Sequence, residues 1–351
     1  VSLLLGMELM GVALYAMIAF PERGELPLEG AIKYLVLSAC ASAMLLYGFA
    51  LIYAAAGELS YAGIGAKGAA AYAENPMLIM AGSAMVLAGI GFKLSVAPFH
   101  MWTPDVYQGA PTPVTGFLAT VSKGAVFVAL SRFYIDGALY QYSGLNTALM
   151  VLAITSMLVG NWLALRQENI KRLLAYSSIA HFGYLLVVLI ALTHLDAGLI
   201  SQSITFYLTA YILTTLAAFA VVSTVAGEDP AKQDISAFEG LFWHRPLEAS
   251  ALTVAMLSLA GIPLTAGFMA KFFVITVGIQ SGLWVLLAVL VVGSAVGIYY
   301  YLRVIFAMSK STDGDGESAN LLENILALAL LAAILVLGSW PQPFIAYAGG
   351  L

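Results

Sequence analysis

The chain has 351 residues, 62% of them hydrophobic and only 9% charged, and its mean hydropathy is +0.94. Soluble domains carry about 25% charged residues, so the composition reads as an all-α polytopic membrane protein, and the net charge of −5 gives no basic footprint for nucleic acid. A single cysteine, Cys40, and four scattered histidines (His100, His181, His194, His244) exclude disulfides, cysteine metal clusters and a His-x-x-x-His pair; with no Gly-rich nucleotide loop, haem, iron–sulfur and nicotinamide chemistry find no ligands in the chain.

At roughly twenty apolar residues per crossing, the pattern predicts about ten spans: 1–20, 31–54, 77–97, 114–134, 145–165, 170–192, 198–225, 247–278, 283–308 and 321–346. The chain opens at Val1 inside an apolar run, without an initiator Met or a basic leader, which reads as a start within a longer protein. The segment 247–278 is too long for one straight span and carries Pro263, so a broken or re-entrant helix is expected there. Lysine and arginine in the loops set the sides. Arg23, Arg166, Lys171, Arg172, Lys232, Arg245, Arg303 and Lys310, with Lys33 at a span edge, fall on one side, and Lys67 and Arg132 on the other. The richer side is read as cytoplasmic.

Charge at membrane depth is costly and is read as functional unless something else explains it. The first such group is Glu8, in Leu5-Gly6-Met7-Glu8-Leu9-Met10; it is either a neutral packing acid or a proton-binding and charge-pairing site. Lys93 comes next, in Gly91-Phe92-Lys93-Leu94-Ser95-Val96-Ala97-Pro98, close to a proline that frees a backbone carbonyl. Either it snorkels to the cytoplasmic edge or it pairs with Glu8. The following loop, 100–113, is rich in Trp, Tyr and Pro and reads as an interfacial cap whose Asp105 can pair with a neighbour. Lys123 lies near the middle of its span among small neighbours, where snorkelling is difficult; an ammonium deprived of water releases its proton more readily, which suits a relay.

Lys171 and Arg172 begin the sixth span, where anchoring at the cytoplasmic face is the expectation. His181 lies in the middle of that span, either as a satisfied core histidine or as a proton relay. The seventh span is polar on many turns (Ser201, Gln202, Ser203, Thr205, Thr209, Thr214, Thr215), which reads as interhelical glue or a path. Lys271 follows Pro263 by a little over two turns and is placed to line a cavity.

A weak internal repeat joins these features. Leu87-Ala88-Gly89-Ile90-Gly91 recurs as Leu259-Ala260-Gly261-Ile262-Pro263, and nearly the same offset carries Glu8 onto His181. The matched spans lie an odd number of crossings apart and so run in opposite directions, as inverted-topology repeats require. Aligned this way, Thr265 rather than Lys271 falls opposite Lys93.

The run Phe92-Lys93-Leu94-Ser95-Val96-Ala97-Pro98-Phe99-His100-Met101-Trp102-Thr103-Pro104-Asp105, continuing to Val114, resembles the signature of the antiporter-like membrane subunits of respiratory complex I. So do Asn169-Ile170-Lys171-Arg172 through His181 and Leu257-Ser258-Leu259-Ala260-Gly261-Ile262-Pro263 through Lys271. Gly240-Leu241-Phe242-Trp243-His244-Arg245-Pro246 and Trp340-Pro341-Gln342-Pro343 favour the subunit N family of NADH–quinone oxidoreductase. The resemblance implies fourteen helices in the full family, arranged as two inverted five-helix units with broken helices. In this chain those units correspond to residues 1–134 (family helices five to eight) and 145–308 (nine to thirteen), with a C-terminal helix in 321–351. It implies a proton relay through Glu8, Lys93, Lys123, His181 and Lys271. It also implies that NADH, FMN, iron–sulfur clusters and quinone are bound by partner subunits, among paralogous antiporter-like and small membrane subunits in a bacterial inner membrane. A stand-alone cation/proton antiporter subunit and a structural membrane spacer are the alternatives, and a ferredoxin- or NAD(P)H-linked photosynthetic relative shares the motifs.

Overall fold

Where lipid replaces water, each backbone polar group must be satisfied within its own segment, so long apolar runs fold as helices. The computed structural model describes residues 2–20, 25–227, 229–311 and 321–348. Among them, nine helices are long and apolar enough to cross a membrane. The first half runs through α1 (Ser2–Ala19), α2 (Glu25–Ala56), α3 (Tyr61–Glu74), α4 (Pro76–Leu94), α5 (Trp102–Gly109) and α6 (Thr112–Phe117), which passes by a π-helical turn into α7 (Lys123–Asp136). The second runs through α8 (Ser143–Ala164), α9 (Ile170–Ile190), α10 (Ala197–Ala226), α11 (Leu241–His244), α12 (Pro246–Ala260), α13 (Ala266–Gln280) and α14 (Trp284–Ser309). Then come α15 (Leu321–Ser339) and α16 (Gln342–Ala348).

The expected spans are present, 247–278 as the broken pair α12 and α13. Three details differ from expectation. α3 is an additional helix, capped by Ser60, whose hydroxyl accepts from the Gly63 N–H. The last span stops at Ser339, ahead of Trp340-Pro341, and α16 is a separate short helix. The stretch read as an interfacial cap is instead largely interior. It forms α5, whose Trp102, Val106 and Tyr107 are buried, because these side chains fill the space between α2 and α9.

α9 is the axis of the molecule. Its spanning window is 100% buried, against 22% for α1 and α15, so the other helices pack around it. α8, α10, α5, α13 and α14 all contact it. Both helix breaks close in one way. Ser95 (φ 62°) and Gly261 (φ 84°) adopt the left-handed conformation that ends a helix. The N–H of Val96 then donates to the Gly91 carbonyl at 3.0 Å, and that of Ile262 to the Leu257 carbonyl at 3.0 Å. This is the paired closure that satisfies the last open carbonyls of a helix. The caps are therefore Ser95 and Gly261, not the residues that the Leu-Ala-Gly-Ile match aligns. Gly89, which that match pairs with Gly261, lies inside α4 and serves packing.

That packing is a small-residue seam of the kind membrane helices use for close approach. A Cβ at Gly89 would lie 2.7 Å from the Ala41 carbonyl oxygen of α2, and one at Gly82 would lie 2.8 Å from that of Gly48. The seam draws α4 onto α2 and brings Lys93 to the face of α2 that carries Ser38. Of the cations expected on one side, Lys33 and Arg172 share Asp105, Arg303 donates to the Leu165 and Gln167 carbonyls, and Lys310 pairs with Glu239. Arg23, counted with them, lies outside the described residues. Gly89→Val should lower stability by about 1–3 kcal/mol through backbone collision, read as a lower thermal midpoint of the detergent-solubilised protein. An unchanged midpoint would contradict the seam.

Candidate functional site

Glu8 sits half-buried on α1 and accepts a hydrogen bond from the Ser42 hydroxyl of α2. Lys93 lies in the last turn of α4 and is 5% exposed. Its Nζ donates to Ser38 Oγ at 2.6 Å and lies 5.8 Å from the centre of the Tyr34 ring. Lys93 thus turns inward and does not run out to the interface. Ser38 and Ser42 stand one turn apart on the same face of α2, so the two charges each meet a serine rather than each other. Gly11 keeps the ammonium's side of α1 open; a Cβ there would be 3.6 Å from Nζ.

Lys123 is fully buried. Its Nζ donates to Ser178 Oγ of α9 at 2.9 Å, within a cage formed by the rings of Tyr107 (5.2 Å), Phe182 (5.5 Å) and Trp102 (5.9 Å). Ring faces attract a cation that has lost its water. The π-helical turn Leu118–Ser122 directly precedes the lysine. Such single-turn widenings displace the regular carbonyl pairing and recur at functional sites. Here the Ala119 carbonyl accepts from Tyr211 Oη of α10 at 3.2 Å, and Ser178 Oγ lies 2.9 Å from the same hydroxyl.

His181 lies one turn beyond Ser178 on α9. Its Nδ1 is 2.8 Å from Tyr207 Oη and its Nε2 is 3.4 Å from Tyr301 Oη, so both ring nitrogens face a hydroxyl. Tyr301 in turn shares a hydrogen bond with Ser177. The Tyr211 and Tyr184 rings pack on the imidazole at 5.6 and 5.5 Å. Beside them His181, Tyr207, Thr214 and Ser258 line a cavity of about 10 Å³, at the lower limit for one water.

Lys271 stands in the second turn of α13, just past the break, and is 7% exposed. Its Nζ donates to the Ala260 carbonyl, the last of α12, at 2.8 Å and lies 5.4 Å from the Tyr184 ring centre. Gly261 makes the crossing possible, because a Cβ there would fall 2.8 Å from Lys271 Cδ. Lys93 precedes its break and Lys271 follows its own, so the two residues stand on opposite sides of their breaks.

The polar groups form separate stations: Glu8 and Lys93 across α2, Lys123 with Ser178 and Tyr211, His181 with its tyrosines, and Lys271 at the α12 end. Between Lys93 and Lys123 stand the Tyr34 and Trp102 rings, 4.7 Å apart. Ser38, Ser42, Ser178, Tyr207, Tyr211 and Tyr301 escaped the reading of the sequence. Their signal was present only as helical spacing, with Ser38 and Ser42, and Tyr207 and Tyr211, four apart.

A further cluster closes the basic end. Asp105 Oδ2 accepts from Lys33 Nζ at 2.7 Å and Oδ1 from Arg172 Nη1 at 2.8 Å. Burial alone pushes this carboxyl up, but the hydrogen bonds and charges of Lys33 and Arg172 outweigh it and hold the carboxyl below its ordinary range. Lys171, expected as an interfacial anchor, is instead buried; its Nζ donates to the Gln108 and Ala110 carbonyls at 3.2 and 2.6 Å. The open C-terminal end of α5 attracts the cation inward.

In comparison with known proteins, the chain matches the family described as "NADH:quinone oxidoreductase/Mrp antiporter, TM" over residues 1–297. It is 49% identical over 344 residues to the NADH-quinone oxidoreductase subunit N of Methylococcus capsulatus, covering 97% of this chain and 69% of that protein. Among solved structures it is similar to a chain of respiratory complex I from Thermus thermophilus with bound aureothin, at 38% identity and a TM-score of 0.84, over 98% of this chain and 74% of that one. It is also similar to a chain of the membrane-bound sulfane sulfur reductase, an archaeal respiratory membrane complex, at 29% identity and a TM-score of 0.85, over 99% and 70%.

Two outcomes follow from the geometry. Tyr211→Phe leaves the Ala119 carbonyl without its donor and should cost about 1–3 kcal/mol, measured by thermal unfolding; a neutral substitution would show that the hydroxyl is not needed. For Asp105, a folded-state carboxyl held low contributes stability above about pH 4 that is lost as pH falls through the lowered value. Asp105→Asn should therefore lower stability near neutral pH by about 1 kcal/mol or less, and the gap to the wild type should close in acid. A gap independent of pH would contradict the pairing.

Proposed function

The chain belongs to the NADH:quinone oxidoreductase/Mrp antiporter transmembrane family, and from that premise we propose that it is the subunit N type of proton-translocating membrane-arm subunit in a NADH:quinone oxidoreductase. It is a multi-pass protein of the bacterial inner membrane and one component of an enzyme complex. Partner subunits, including paralogous antiporter-like and small membrane subunits, bind NADH, FMN, iron–sulfur clusters and quinone and carry the electron chemistry. Residues 1–134 and 145–308 act as two inverted units, each with a broken helix, and the C-terminal segment that holds α15 and α16 follows them.

The observation that supports this reading best is the set of three buried ammonium groups, Lys93, Lys123 and Lys271, each held by a single hydroxyl or carbonyl and separated by a histidine with two tyrosine partners. A lysine kept charged and buried for structure alone needs an opposite charge beside it to offset its lost hydration. A group that must release and regain a proton is better served by one weak, neutral partner.

In the relay, Glu8 and Lys93 form the input pair, bridged by Ser38 and Ser42. When the pair loosens, the proton of Lys93 moves to Lys123 past the Tyr34 and Trp102 rings. From Lys123 it passes by Ser178 and Tyr211 to His181 and its tyrosines, and then to Lys271 at the α12–α13 break. Such a pump needs two states that differ in access and in proton affinity. The aromatic pair between Lys93 and Lys123 supplies a barrier that only a rearrangement or an entering water removes.

The test is Lys123→Ala in the complete complex, reconstituted in vesicles, with NADH-driven proton uptake and quinone reduction followed together. Pumping should fall by about tenfold or more, the scale of losing one proton-transfer group. Unchanged pumping sinks the relay.

A further inference from the structure

A sizeable cavity among the described residues lies away from the relay. It has a volume of about 480 Å³ and opens between α6, α10, α12 and α15. Its walls are apolar, with Leu216, Phe219, Leu326 and Leu330 among them, and two carboxylates, Glu248 and Glu323, line its end. Glu248 stands in the first turn of α12, Glu323 in the first turn of α15, and the neighbouring stretch of α10 is its last turn. The acidic end therefore lies at headgroup depth, while the leucines extend toward the membrane centre. The outer wall belongs to the bilayer side: α15 is only 22% buried, and Leu322 and Leu326 are 77% and 49% exposed.

Glu248 is the unusual member. Its residue is 1% exposed, and Oε2 takes a hydrogen bond from Arg245 Nη1 at 3.3 Å. Oε1 is buried and has no hydrogen-bond partner among the described residues. A buried carboxylate oxygen with no donor is costly, and native structures seldom tolerate one. The site lacks a donor at the head of an apolar slot. A primary ammonium brings three N–H donors; a trimethylammonium brings none.

We propose that this cavity binds a phospholipid with a primary-ammonium headgroup, the ammonium donating to Glu248 and the acyl chains lying along Leu216, Phe219 and Leu330. Arg245, beside the carboxylate, makes the headgroup region bipolar, which matches a zwitterion better than a purely anionic head. The inference depends on the membrane reading of the chain and not on the relay.

The experiment uses the complete complex, delipidated and returned to nanodiscs of phosphatidylcholine alone or with added phosphatidylethanolamine or phosphatidylglycerol. Phosphatidylethanolamine should raise the thermal midpoint of the wild type where the other two lipids do not, by the linkage of binding to stability. Glu248→Gln should raise the phosphatidylethanolamine needed for half of that effect by about tenfold, the scale of one charge-assisted hydrogen bond. Leu330→Trp, which fills the slot without touching the carboxylate, should do the same and decides the matter if Glu248→Gln fails to assemble. Extracted lipid should show one phosphatidylethanolamine fewer per complex in each variant. Equal lipid content and response in wild type and variants overturns the proposal, as does an equal rise with phosphatidylcholine. Loss of a partner subunit with lipid content unchanged also overturns it, since the occupant would then be a protein side chain.

Discussion

Everything in this structure depends on how a cation and an open helix end are satisfied where water is scarce. Four lysines are buried, and each ammonium is met by a group that the backbone or one serine supplies: Ser38 for Lys93, Ser178 for Lys123, the Gln108 and Ala110 carbonyls for Lys171, and the Ala260 carbonyl for Lys271. For Lys171 and Lys271 the acceptors are carbonyls at the C-terminal ends of α5 and α12. The break and the charge thus solve each other's problem. The freed carbonyls need donors, and the ammonium needs acceptors that carry no fixed opposite charge.

α9 makes the two halves one object. It is enclosed along its whole spanning length, and within one turn it offers Ser178 to Lys123 and His181 to the tyrosines of α10 and α14. Tyr211 joins these two neighbourhoods, bonded to Ser178 and stacked near His181. In the proposed relay the second half is therefore nearly continuous, whereas the first is interrupted by the Tyr34 and Trp102 rings. A spacer has no need of this asymmetry. A gated path requires one closed place, and in the proposed relay the rings would take that place between Lys93 and Lys123.

Much of this was legible in the residues. Low charge and long apolar runs gave the spans, Pro263 marked the split in 247–278, and isolated charges drew attention to Glu8, Lys93, Lys123, His181 and Lys271. The rest was hidden for physical reasons. Ser95 ends α4 before Pro98 because a left-handed serine can close a helix without any glycine signal. The π-helical turn before Lys123 has no residue signature, since it is defined by which carbonyl pairs with which N–H. Trp102 and Tyr107 look interfacial by type, and only their packing between α2 and α9 shows them to be core. Lys171 has the position of an anchor, but the end of α5 lies close enough to draw it inside. The Leu-Ala-Gly-Ile match found two broken helices and misaligned them, because small-residue packing in α4 and helix capping in α12 both select glycine.

The central claim is that a proton crosses from one half to the other through the groups around α9. The most direct measurement is the number of protons translocated per NADH oxidised by the intact complex carrying His181→Phe, with assembly checked on the same preparation. A fully assembled complex with a lowered ratio is the result this account predicts. An assembled complex with an unchanged ratio, or a ratio that falls only in step with lost assembly, would contradict it.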